Sequence, residues 1–294
     1  MKKVFGFVIL SAVLFSTMEV ALKIASVGLD PFQMTFIRFF WGGIFLLPFA
    51  IKELKKRSIV FDRNDFYYYM ILGILNIVIS MTFFQLGVIY AKASTAAVVF
   101  CTNPMFTMLF AHFITEEKLT KKKVVALGIS IIGLLFIMNP FNMNAGDELI
   151  GIGLAFVSAV VFGLYSAYGK LRIKKYGGIA QTSISFIMGS LVLLVFLWVT
   201  RRPVISGITQ DNLLLVVYIS ILVTGVGYLA YFMAMEKSNA LYASLVFFVK
   251  PAIAPVFAIL ILCETITINV IIGIVFILIG SYITMGAGRL IKKS

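Results

Sequence analysis

Long apolar windows separated by short polar connectors recur along the whole chain, and this pattern limits what it can become. Windows of about 20 residues, enough helix to cross a hydrocarbon core roughly 30 Å thick, fall near 4–25, 32–51, 66–91, 94–115, 124–139, 151–170, 179–200, 212–235, 240–262 and 268–287. Hydrocarbon offers no water to the backbone, so each such segment has to satisfy its own N–H and C=O groups as a helix. The chain is 61% hydrophobic and 13% charged, with a mean hydropathy of +1.06, against roughly 45–50% apolar and about 25% charged for a soluble domain. A soluble globular fold is excluded, and an all-α integral membrane protein of ten transmembrane helices is expected.

The connectors carry loop signals, among them Gly28 to Pro31, Lys52 to Asp65, Glu116 to Lys123 and Arg201 to Asp211, and none is long enough for a soluble domain. Met1-Lys2-Lys3 followed by an apolar run imitates a secretory leader. Glu19 and Lys23 interrupt that run and no small-residue cleavage site follows, so it is expected to be a retained first span.

The net charge is +13, but the basic residues stand in short runs between apolar windows, as in cytoplasmic loops, and do not form a nucleic-acid surface. Of the 25 Lys and Arg, nineteen lie on one side if the N-terminus is inside, four lie on or near the other, and Arg38 and Lys250 lie within spans. This distribution predicts cytoplasmic N- and C-termini in a multi-pass plasma-membrane protein. Cys101 and Cys263 form no CxxC pair and imply neither a disulfide framework nor a metal site. No cofactor is expected.

A shift of 147 positions superimposes the two halves of the chain. It aligns Ser11-Ala12-Val13 with Ser158-Ala159-Val160, Lys23 with Lys170, Phe39 with Phe186 and Gly42 with Gly189. The same shift brings Ala93, Ala96, Val99, Phe100 and Pro104 onto Ala240, Ala243, Val246, Phe247 and Pro251, and Glu117 onto Glu264. Two five-helix repeats, 1–147 and 148–294, follow as the expected organisation. Five is odd, so the second repeat enters the membrane from the opposite side. Inverted repeats are a signature of secondary transporters, which alternate access to a site near the midplane.

Charges inside hydrocarbon cost about 2.5–3.5 kcal/mol each near the centre on insertion scales, which singles out Glu19, Lys23, Arg38 and Lys250. Lys250 lies mid-span just before Pro251, which leaves the carbonyl of Phe247 without its helical donor. Asn103-Pro104 repeats the arrangement in the first half, so Lys250 and Asn103 are candidate substrate ligands. The alternative is a lysine paired with a buried acid and prolines that only shape helices. Glu19 and Lys23, four residues apart, can pair along one helix, and Arg38 is close enough in depth to pair with Glu19. Arg38 and Lys250 would favour a carboxylate, while Glu19 would meet an amine or take a coupling proton, a combination that suggests a zwitterion.

Gln85, Asn76, Tyr90, Tyr165, Tyr168, Tyr228 and Tyr231 are further candidates to line a cavity by hydrogen bonds and ring faces. His112, the single histidine, is a candidate proton relay. Glu117 and Glu264 end their spans in matching positions, which suggests a shared structural role.

Three features also resemble the drug/metabolite transporter superfamily and its EamA-type ten-helix permeases. They are Asp30-Pro31 with Arg38 seven residues after the proline, Ala93 to Pro104 with its counterpart Ala240 to Pro251, and Glu117-Lys118-Leu119-Thr120 with Glu264-Thr265-Ile266-Thr267. The resemblance covers nearly the whole chain. It implies movement of small, often amino-acid-like metabolites through a central cavity, driven by protons or by a counter-substrate, in a monomer or homodimer, with export favoured. Ala21-Leu22-Lys23 and Gly28 are similar to a pattern in the four-helix multidrug exporters, whose cation-binding glutamate would align with Phe15, one turn before Glu19.

Multidrug efflux of lipophilic cations, solute import and lipid-headgroup flipping are the alternatives on the same fold. An enzyme would need clustered His and carboxylates or a nucleophile with its base, and a channel would need a repeated ring of polar residues. Neither pattern is present in the spans.

Overall fold

The computed structural model describes residues 2–115, 119–138, 146–237 and 240–291, and these are helical with no strand among them. In chain order the helices are α1 (Lys2–Ala25), α2 (Pro31–Lys56), α3 (Arg63–Tyr90), α4 (Ala93–Phe100), α5 (Asn103–Ile114), α6 (Lys121–Met138) and α7 (Gly146–Gly169). There follow α8 (Ile173–Tyr176), α9 (Gly178–Val199), α10 (210–237), α11 (Ala240–Leu262) and α12 (Ile268–Ile291). Among the described residues seven helices are long and apolar enough to cross a membrane.

Local chemistry sets where these helices begin. Pro31 opens α2, and the Asp30 carboxylate accepts the backbone N–H of Phe32 at 2.9 Å and of Gln33 at 3.2 Å, satisfying donors that a helix start leaves orphaned. Capping boxes open α3 at Asp62 and Asp65 and α10 at Thr209 and Asn212, two pairs related by the repeat spacing. Both helices then run through π-helical segments in related stretches, Ile74–Met81 and Tyr218–Val226. Such segments are rare and frequent at functional sites.

The expected equivalence of the two proline-disturbed spans is only half realised. Cys101 and Thr102 separate α4 from α5, whereas α11 continues unbroken through Pro251 and Pro255. In the broken span the carbonyl of Phe100 accepts a 2.7 Å hydrogen bond from Asn103 Nδ2, so the side chain before the proline supplies the donor that Pro104 lacks.

Helices pair across the two halves. α2 packs on α9 and α6 on α12, while α1 lies against α10 and α11 much as α7 lies against α3, α4 and α5. Gly73 and Gly189 let α3 and α9 touch, since a Cβ on Gly73 would come within 2.5 Å of the Gly189 nitrogen. Large apolar side chains such as Trp41, Phe113, Trp198 and Leu260 face outward, where lipid is their solvent.

Candidate functional site

The polar residues that the helices bury converge where α1, α2, α3 and α11 meet. Lys250 Nζ lies 2.6 Å from Glu19 Oε1, with side-chain exposures of 2% and 1%. The pair joins the first helix of one half to α11 of the other. A buried ion pair gains little net stability, because desolvation offsets the attraction, but removing one partner strands a charge. Lys250 Nζ also stands 5.6 Å from the centroid of the Phe100 ring, directly before the break between α4 and α5.

Arg38 is fully buried. Its guanidinium lies 4.4 Å above the Phe39 ring, a cation–π contact, and Nη2 reaches Met81 Sδ at 3.5 Å in the π-helical part of α3. Among the described residues its Nε and Nη1 have no hydrogen-bond acceptor and neither amide atom of Gln85 has a partner, while the Asn76 amide faces the Tyr165 hydroxyl. Buried polar atoms are nearly always hydrogen-bonded, so this concentration of unpartnered donors and acceptors marks the centre as a place for a polar occupant.

Aromatic rings wall the centre. Phe15 packs on Tyr228 and Phe247 with centroids 5.0 and 6.0 Å away, Phe39 on Phe186 at 4.7 Å, and Phe100 on Phe162 at 5.2 Å. Tyr231 joins through Phe247 at 5.4 Å and Tyr165 through Phe162 at 5.4 Å. The Tyr165 hydroxyl neighbours Asn76, Thr182 and Ser185.

Other candidates lie elsewhere. Lys23 does not pair with Glu19. Its ammonium donates to the carbonyls of Val88, Ile89 and Ala91 at 2.9, 2.7 and 2.8 Å and closes the C-terminus of α3, where carbonyls lack helical partners. The ion-pair partner of Glu19 is Lys250 and not Arg38, and Glu19 is therefore already engaged where an incoming amine was expected. Asn103 uses its amide on Phe100. Tyr168 stacks on Tyr68 at 5.3 Å in a separate cluster, and His112 is exposed beside the Phe113 ring. Glu117 falls outside the described residues.

Two polar ties link the halves at opposite ends. At one end Glu264 accepts the N–H of Ala93 at 2.7 Å and of Ser94 at 3.1 Å, capping α4, and Lys92 Nζ donates to the Thr265 carbonyl at 2.8 Å. At the other, fully buried Asp65 meets Arg172 at 2.6 Å, Lys175 at 3.4 Å and the Tyr176 hydroxyl. Contact with Tyr176 first, and with Asp65 as well, raises the pKa of both Arg172 and Lys175. Sequence reasoning left Asp65 in a connector. The Asp62/Asp65 spacing, which forms a capping box, was its one legible signal.

The chain and its fold are similar to known proteins. The model of the EamA-like transporter family matches twice, over residues 2–139 and 149–286. An uncharacterized transporter of Clostridium kluyveri is 46% identical over 98% of this chain and 95% of its own length. The uncharacterized transporter YoaV of Bacillus subtilis is 26% identical over 90% of each chain. An S-adenosylmethionine uptake transporter of Rickettsia prowazekii is 27% identical over 65% of this chain and 64% of its own. A solved crystal structure with 15% identity superposes with a TM-score of 0.66 over 97% of this chain and 96% of the other, a likeness of fold. The chain is a multi-pass membrane protein and belongs to the EamA-like transporter family.

Proposed function

We propose that the protein is a secondary active transporter that moves small carboxylate-bearing metabolites, amino-acid-like solutes first among them, by alternating access through the centre occupied by Glu19, Arg38 and Lys250. The observation that carries this reading is the buried contact between Glu19 of α1 and Lys250 of α11 beside the Arg38 guanidinium, whose Nε and Nη1 have no acceptor among the described residues. Intramembrane ions are costly and mark transport pathways. Gln85, Asn76, Tyr165 and Tyr231 serve as surrounding polar and aromatic groups, and Asn103 shapes the helix break from which Phe100 faces Lys250.

Ten spans in two inverted halves, with both termini cytoplasmic, fit this role. The double family match, the matching capping boxes and the paired π segments support that arrangement. In it the Glu264 tie closes the outer mouth and the Asp65 tie the inner mouth. Export is the preferred direction, and import is the second reading, favoured by the Rickettsia relative named an S-adenosylmethionine uptake transporter.

The test is uptake of labelled amino acids and carboxylates into vesicles containing the purified protein. Saturable transport that Lys250→Ala abolishes is expected. Normal transport by Lys250→Ala would reduce the lysine to a structural partner, and movement of labelled lipid without any soluble solute would replace the metabolite reading with a flippase.

A further inference from the structure

Glu19 is the single acidic residue within the ten apolar windows; the other eleven Asp and Glu stand in connectors or at helix ends. It is in contact with Lys250 at 2.6 Å. Paired as ammonium and carboxylate, the two carry no net charge. Arg38 remains, and a guanidinium stays protonated in proteins. Around it stand Met81 through its sulfur, Phe39 through its ring, the phenol of Tyr228, and Glu19, which is already in contact with Lys250. With Glu19 engaged by Lys250, the buried centre carries one positive charge in excess, and Arg38 has zero exposure and, among the described residues, no acceptor for Nε or Nη1.

From this we infer that the centre takes a ligand of net charge −1, a monocarboxylate or an acidic amino acid, whose carboxylate seats on Arg38 Nε and Nη1. The inference rests on the reading of Glu19, Arg38 and Lys250 as the substrate site and sharpens it. A zwitterion leaves the charge count at +1, and its ammonium has to displace Lys250 from Glu19 to find a partner. A cation adds like charge to a site that cannot shed its own. A monoanion brings the count to zero without moving the existing pair, and a charge-assisted hydrogen bond to Arg38 is the strongest contact on offer. The Gln85 amide, without a partner among the described residues, then offers a donor and an acceptor to the rest of such a ligand.

The experiment uses the full-length protein in detergent and acetate as the smallest probe with the required group, with glycine and methylammonium as the zwitterionic and cationic comparisons. Thermal unfolding is recorded for the wild type, Arg38→Gln, Arg38→Lys, Lys250→Met and Glu19→Gln. Comparison with Arg38→Gln at equal salt cancels general solvent effects of acetate. Acetate is expected to stabilise the wild type and Arg38→Lys, with an apparent dissociation constant at least about tenfold weaker in Arg38→Gln, in keeping with loss of a charge-assisted contact. Glycine and methylammonium are expected to bind more weakly than acetate. Glycine binding more tightly than acetate, with that binding weakened in Lys250→Met or Glu19→Gln, overturns the monoanion assignment and leaves the site in place. Probe binding unchanged in all four variants overturns the site itself. Absence of any acetate effect on the wild type also overturns the monoanion assignment.

Discussion

Lys250 of α11 and Glu19 of α1 meet at 2.6 Å inside the protein, a contact between the two halves of the chain at a depth where neither side chain reaches solvent. Lys250→Met and Glu19→Gln each strand one charge and should destabilise the protein by about 3–5 kcal/mol, while the double variant should recover much of that loss. Reversible unfolding in detergent checks the cycle. Transport separates roles: a stable double variant that fails to transport makes the pair functional, whereas one that transports normally makes it structural.

Asn103→Ala should leave the Phe100 carbonyl without the donor that it has at 2.7 Å, at a cost of about 1–3 kcal/mol. Because the amide is turned toward the backbone, the apparent affinity for substrate should change less than twofold in this variant, whereas Lys250→Ala should abolish uptake. Concentration-dependent uptake by the wild type and Asn103→Ala provides the comparison, and a KM raised about tenfold or more in Asn103→Ala would return Asn103 to the ligand set.

Glu264→Ala removes the cap from the start of α4, where the carboxylate receives the N–H groups of Ala93 and Ser94, and should cost about 1–2 kcal/mol. The loosened tie should also speed labelling of a cysteine placed at Thr265. Unchanged stability and labelling would mean that the cap holds nothing closed.

Asp65→Asn weakens the tie to Arg172, Lys175 and Tyr176 and should destabilise the protein by about 1.5–3 kcal/mol, the range for hydrogen bonds to a charged group. Asp65→Ala, which also removes the capping-box acceptor, should cost more. Equal stability of the two variants would show that the cap contributes nothing beyond the charge.

The helices and the burial of Lys250, Glu19 and Arg38 within them were legible in the sequence because hydrophobic length and the price of a charge in hydrocarbon act on single residues. Which charges pair was not legible. Glu19 lies four residues from Lys23 and at a similar depth to Arg38, and one-dimensional reasoning has no measure of how helices rotate against one another. Lys23 found orphaned carbonyls at the end of α3 instead. Pro104 and Pro251 occupy matching positions, yet only the first lies beside a break. The tie at Asp65 depends on a loop folding back from the other half, and nothing local to Asp65 reveals it.

On the proposed reading, Arg38 also sets the pattern of traffic. An unloaded protein has to pass through its closed form with a bare cation held in a medium of low dielectric constant, whereas a protein filled with a monoanion passes through it neutral, so the return trip without cargo is the slow one. Such a carrier trades one solute for another more readily than it releases a solute and comes back with nothing. Vesicles preloaded with unlabelled solute should therefore take up label faster than vesicles that start without it, and equal rates would show that the stranded cation does not govern turnover.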